Sequence, residues 1–278
     1  MHAATVRRLL VRGMIAGLVA GVLAFAFAYV IGEPSVRSSI ALEQAEPAAP
    51  AAPAAGHQHG GGPAAAPAAP AEEEEELVSR PVQSTFGLAT GVLVYGVALG
   101  GIASLAFSLA LGRLGKFSAR ATAALTAAGV FTTVYLVPFL KYPATPPAVG
   151  NPDTIGERTT LFFLMILLSV LLGLGAVIAG RRLAPRLGNW NASVVAGLGF
   201  AAAVALAFVF LPSNGDAVRE TFPAALLWEF RLASLTVQVV LWTTFALVFG
   251  ALATRVLQAR DGSSEAAAAS ERLSASAV

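Results

Sequence analysis

About six apolar runs, each long enough to cross a bilayer, constrain this chain more than any motif in it. They fall at about residues 13–32, 86–111, 121–140, 159–180, 192–212 and 226–254. A helix spans the hydrocarbon core with about 20 mostly apolar residues. Inside lipid every backbone N–H and C=O must be satisfied within the protein, which leaves helices and closed barrels. The chain is 56% hydrophobic and 12% charged, where soluble domains carry about 25% charged residues. The expected fold is all-α: a polytopic membrane helix bundle of about six transmembrane helices, occupying residues 1–258. The last run is long, and its first turns, with Glu229 and Arg231, are expected at the interface.

Charge between the runs gives the expected orientation. With a cytoplasmic N-terminus, the inner segments hold 12 of the 18 Lys and Arg residues and 3 of the 16 acids. Three basic residues recur on each inner segment: Arg7, Arg8 and Arg12, then Arg113, Lys116 and Arg120, then Arg181, Arg182 and Arg186, then Arg255, Arg260 and Arg272. This is the positive-inside pattern, and it places both termini in the cytoplasm. The same dispersal of arginines around apolar runs argues against a nucleic-acid surface. The first run starts basic, as a signal peptide does. It is long for that role and no clear cleavage site ends it, so it reads as a retained span; cleavage would leave about five.

Residues 33–85, between the first two runs, form an extracytoplasmic insert. Its centre, "EPAAPAAPAAGHQHGGGPAAAPAAPAEEEEE", cannot bury a core and is expected to be disordered or partly polyproline II. Residues 259–278 are expected to form a disordered cytoplasmic tail. His57 and His59 in the insert, with the run Glu72 to Glu76, offer imidazole and carboxylate donors for divalent cations. Two readings stay open: a loose metal collector, or a solvated spacer with a chance histidine pair. The chain has no cysteine, which removes disulfides, Fe–S clusters and thiolate metal sites.

Gly13, Gly17 and Gly21 recur every four residues in the first run, and Gly87/Gly91 and Gly96/Gly100 in the second. Such small-residue spacing lets helix backbones approach closely. Tyr95, between the two pairs, reads as an interhelical hydrogen bonder. The central thirds of the runs are nearly free of charge. Ionisable residues gather at the outer ends instead: Lys141, Asp153, Glu157, Arg158, Glu220, Glu229 and Arg231, with Gln238 deeper in the sixth run. Arg231, Ser234 and Gln238 share one helix face. Glu229 and Arg231 are two apart and point to different sides, so each needs a partner elsewhere. The plain alternative is an interfacial Glu and a snorkelling Arg, with Trp228 and Trp242 as belt residues.

Between the third and fourth runs lies "FLKYPATPPAVGNPDTIGERT". Pro143, Pro146, Pro147 and Pro152 each push the preceding residue out of the α region, so this bridge is stiff. Thr154 to Glu157, "TIGE", fits the capping box that starts a helix. That accounts for Glu157 without a metal. Lys141 lies where a snorkelling anchor would, and also where a carboxylate such as Glu229 could meet it. A rigid outer cap over a helix bundle is the simplest reading, and such a cap could serve as the lid or vestibule of a permeation path.

"VPFLKYPATPPAVGNPDTIGERT" (Val137 to Thr159) and "FPAALLWEFRLASLTVQ" (Phe222 to Gln238) resemble the signature stretches of the CbtA family of cobalt transporter subunits. "SRPVQSTFGLATGVLVYGVALGG" (Ser79 to Gly101) is similar to its second-span motif. The resemblance covers the chain apart from the Ala/Pro insert and the tail. It implies a multi-pass protein of a bacterial or archaeal plasma membrane that takes up cobalt(II) to supply cobalamin synthesis. It also implies a small single-span, His-rich partner of the CbtB type. No ligand set comes with the resemblance.

Cobalt(II) is then transported cargo, and no cofactor is expected. The available donors are His57, His59 and Glu229, with Lys141, Asp153, Glu220, Arg231 and Gln238 along the path or outer vestibule. The oligomeric state stays open, a homo-oligomer included. No Walker A pattern is present, so the chain itself does not couple transport to ATP. A non-transporting scaffold for a partner subunit is the alternative. An enzyme is not expected, because the chain has no H-E-x-x-H and no paired intramembrane carboxylates.

Overall fold

The computed structural model describes residues 3–45, 79–147, 149, 154–213, 218 and 222–275. Among them the chain is helical, without strands. We number the long helices α1 (Ala3–Ala45), α2 (Arg80–Ala110), α3 (Ala119–Lys141), α4 (Ile155–Phe210) and α5 (Ala224–Ala275). All five are long and apolar enough to cross a membrane. Large apolar side chains face outward along them, among them Ile102, Leu109, Phe163, Val209 and Leu247. A water-soluble monomer rarely exposes so much contiguous apolar surface, whereas lipid receives it without cost.

Helix α4 runs for 56 residues. Straight, it would be about 84 Å long, far beyond the roughly 30 Å hydrocarbon core. It breaks at Gly188, whose φ of 75° and ψ of 161° lie outside helical space. That φ favours glycine, which has no Cβ to clash. Pro185 lies one turn before it. The two arms fold back on each other across this point. A Cβ on Gly180 would lie 3.3 Å from the Ala196 Cβ, and one on Gly173 would lie 3.9 Å from the Phe200 ring. Leu161 and Met165 of the first arm share a core cluster with Val204 and Ala207 of the second. The fourth and fifth apolar runs of the sequence are these two arms.

The main core is shared by α1, α2, α3 and α5. Leu9, Ala16 and Ala20 of α1 meet Ala103 and Phe107 of α2, Ala123 and Ala127 of α3, and Phe245 and Phe249 of α5. Phe249 receives the Phe107 ring edge-on at 5.1 Å and stacks on Phe245 at 5.1 Å. The α1–α2 contact is backbone against backbone. A Cβ on Gly17 would fall on the Gly96 carbonyl, and one on Gly100 on the Gly13 carbonyl. Gly87 and Gly91 take no part: a Cβ on Gly91 would meet nothing within 4 Å. Only the Gly96/Gly100 pair of α2 belongs to the seam.

Prolines set the local irregularities. In α1 the π-turn Ala28–Gly32 ends with Glu33 N–H bonding to the Ala28 carbonyl, directly before Pro34. In α3 the π-turn Phe131–Leu136 ends with Val137 N–H bonding to the Thr132 carbonyl, directly before Pro138. The next donor in that register would be residue 138, and proline has none. The Thr133 carbonyl thus passed over accepts instead from the Ser169 hydroxyl of α4. A neighbouring helix repairs a proline gap in the way lipid-embedded helices require.

Two boundaries differ from the sequence expectation. Helix α1 continues through residues 33–45, the start of the expected insert, because Glu33 and Ser39 are buried there rather than solvated. Helix α5 continues to Ala275, so most of the 259–278 segment is helical rather than disordered. Its "SSEAAAASERL" sequence is rich in strong helix formers.

Candidate functional site: outer cap and polar core

The proline bridge after α3 is held down at three points. Lys141, the last residue of α3, donates to the Phe208 carbonyl at 2.8 Å. That carbonyl belongs to the last turn of α4, where carbonyls lack helical donors and the helix dipole favours a cation. The Tyr142 hydroxyl donates to the Pro212 carbonyl at 2.8 Å, just beyond the same helix end. Burial pushes the Tyr142 phenol above its ordinary pKa, so it remains a donor. Arg231 of α5 donates through Nε to the Ala144 carbonyl at 3.3 Å. Tyr142, Pro146 and Val149 are buried beneath this cap. The stiff stretch thus ties the ends of α3 and α4 to the start of α5.

Of the two readings open to Lys141, the meeting with Glu229 does not occur. Lys141 is committed to the end of α4, and Glu229 is exposed on α5. Glu33 instead forms ion pairs, with Arg37 and Arg80. Helix α4 begins at Ile155, directly after Thr154, as "TIGE" predicts, although the Thr154 side chain makes no cap bond. His57, His59, Asp153 and Glu220 lie outside the described residues.

Sequence reasoning passed over Glu33. Its carboxylate is 6% exposed and accepts from Arg80 of α2 at 3.0 Å and from Arg37, one turn on, at 3.3 Å. Arg80 also donates to Gln83 at 3.2 Å. The signal was available: Glu33 directly precedes Pro34 at the end of the first run, and Arg80 precedes Pro81 at the start of the second.

A second group lies inside the bundle. The Gln238 side-chain oxygen of α5 is buried there without a hydrogen-bond partner, whereas Tyr95 of α2 is 41% exposed. Tyr135 lies in the π-turn of α3, and its hydroxyl is buried without a hydrogen-bond partner. Its ring stacks between Phe131 and Phe139. Trp242 lies one turn below Gln238 on the same face. It is 4% exposed and part of the main core, unlike the belt residue of the plain alternative; Trp228 is 62% exposed.

Among the described residues no three His, Cys, Asp or Glu side chains converge as a metal cage. A family model described as "probable cobalt transporter subunit (CbtA)" matches residues 6–254. No curated protein and no solved structure matched the chain.

Proposed function

The chain belongs to the CbtA family of probable cobalt transporter subunits, and from that premise we propose that it is the membrane subunit through which cobalt(II) is taken up. The observation that carries this reading is the span of the family match, residues 6–254, which takes in all five apolar helices up to the later turns of α5. The finer reading is uptake across a bacterial or archaeal plasma membrane to supply cobalamin synthesis. Both termini would be cytoplasmic, with the two arms of α4 crossing separately. The charge distribution between the apolar runs supports that topology.

The outer cap is the vestibule in this reading. Lys141 and Arg231 fix its shape through carbonyl bonds, and exposed Glu229 beside them offers a carboxylate to an arriving cation. His57, His59, Asp153 and Glu220 are further donors in the sequence, consistent with the nitrogen and oxygen preferences of divalent first-row metals. A negative-inside potential favours inward movement by about 2.3 kcal/mol per charge per 100 mV. A divalent ion gains twice that, so a selective passive route suffices energetically. The partner is a single-span His-rich subunit. The apolar groove between α1 and α2, lined by Met14, Leu18, Val97, Gly101 and Leu105, offers it a helix-sized surface.

One observation favours the second reading, a non-transporting scaffold: no carboxylate or imidazole cluster forms among the described residues. Radiolabelled cobalt(II) uptake separates the two. Cells lacking their own cobalt importers would express the chain alone and then with the single-span partner, with nickel and magnesium as competitors. Uptake in either case supports the permease subunit. Its absence in both, with the protein shown to be in the membrane, favours the scaffold.

A further inference from the structure

A groove of about 610 Å³ runs along the junction of α1 and α2, walled by Leu10, Met14 and Leu18 on one side and by Leu93, Gly101 and Leu105 on the other. Its floor is low because Gly101 has no side chain; a Cβ there would already touch Met14 at 3.5 Å and Leu10 at 3.6 Å. The two helices run antiparallel. A Cβ on Gly13 would meet Gly100 and Ser104, and one on Gly21 would meet Leu93. Leu10 and Leu105 therefore lie at one end of the groove, and Leu18 and Leu93 at the other. At 1.5 Å per residue the α1 wall is about 12 Å long and the α2 wall about 18 Å. That is near half of the roughly 30 Å hydrocarbon core, the depth of one leaflet.

The end at Leu10 and Leu105 is basic. Arg7 comes three residues before Leu10 and, at 3.6 residues per turn, shares the helix face of Leu10 and Met14. It is exposed and enters no ion pair among the described residues. Arg113 follows the end of α2 and donates to the Leu109 carbonyl at 2.9 Å. Leu109 is one turn beyond Leu105 on the same face. Two guanidinium groups thus flank one mouth of an apolar groove. Neither helix neutralises them at that end: residues 1–32 and 77–152 contain no Asp or Glu.

We propose that this groove is a binding site for an anionic phospholipid, with an acyl chain between α1 and α2 and the phosphate at Arg7 and Arg113. Apolar walls alone would accept any lipid tail. The arginines select the negative headgroup, since guanidinium forms charge-assisted hydrogen bonds to phosphate, and basic sites between membrane helices favour anionic lipids. Length favours lipid as well. A helix crossing the whole bilayer would use the groove for one leaflet only, whereas one acyl chain fills it from end to end. Lipid is accordingly the occupant of the chain by itself. The proposal requires a bilayer around the bundle and is independent of cobalt passage; the orientation proposed above makes the leaflet the cytoplasmic one.

The test is native mass spectrometry of the purified full chain, titrated with phosphatidylglycerol or with phosphatidylcholine bearing the same acyl chains. The parent chain is expected to retain one phosphatidylglycerol in preference to phosphatidylcholine. Arg7→Gln and Arg113→Gln should each weaken phosphatidylglycerol binding about fivefold, the scale of one basic residue at an anionic lipid surface, and leave phosphatidylcholine binding unchanged. Arg8→Gln is the control. Arg8 is exposed too, but it points about 100° away from Arg7 around α1, so its loss should change nothing. Ala98→Phe, an exposed groove position outside the glycine seam, should weaken binding of both lipids by filling the groove. Equal retention of the two lipids by the parent chain overturns the site. So does an Arg8→Gln effect as large as that of Arg7→Gln, which would mean diffuse attraction to the basic end. Unchanged binding in Ala98→Phe overturns the place of the acyl chain.

Discussion

Glu33 and Arg80, 47 residues apart in sequence, meet at 3.0 Å. The carboxylate is almost fully enclosed while the guanidinium is one-third exposed. The pair closes the base of the insert, fixing where α1 lets go of the chain and where α2 takes it up. Arg80→Ala should therefore destabilise the protein by about 1–3 kcal/mol, because it strips a buried carboxylate of its longer-range donor while exposure of the arginine limits the effect. Arg80→Lys should restore part of the loss. Thermal unfolding in detergent checks both.

The glycine seam makes a sharper contrast. Gly17→Ala places a methyl on the Gly96 carbonyl, whereas Gly91→Ala places one in open space. The first should cost about 1–3 kcal/mol, the usual range for overpacking, and the second should be neutral or slightly stabilising, because alanine favours helix over glycine. Comparing melting temperatures of the two variants tests the seam without reference to transport.

Ser169→Ala should loosen the contact between α3 and the first arm of α4. It leaves the Thr133 carbonyl without the hydroxyl that the Pro138 gap requires, at a cost of about 1–3 kcal/mol. Hydrogen exchange should show faster opening confined to the second half of α3. Uniform protection across the bundle would mean that the carbonyl finds another donor.

The cap should depend on its carbonyl anchors. Lys141→Met removes the bond to Phe208, and Arg231→Leu the bond to Ala144. Each should raise proteolysis within residues 142–149 and reduce cobalt uptake while membrane protein level holds. Glu229→Gln should reduce uptake without loosening the cap, since Glu229 is not among its anchors.

Much of this was legible in the sequence because lipid simplifies the problem. Apolar run length and basic-residue spacing pointed to an all-α bundle, and the four-residue glycine spacing marked α1 as a close-packing face. Partner choice was not legible. Lys141 reads from sequence as a snorkelling anchor or a carboxylate's partner; it bonds the Phe208 carbonyl instead, whose helical donor would be Pro212, which has no N–H. Trp242 looked interfacial by type, yet its position one turn below Gln238 puts it in the core. Glu33 was hidden because a carboxylate at the edge of an apolar run resembles ordinary interfacial charge until Arg80 is brought beside it by the α1–α2 seam.

The most direct test is flux through the purified protein, alone and with its single-span partner, in sealed vesicles containing a cobalt-quenched dye. With a negative-inside potential imposed, the account predicts cobalt(II) entering faster than in protein-free vesicles, and faster still as the potential grows. Folded protein that passes no cobalt at any potential, with or without the partner, would contradict it and leave a scaffold.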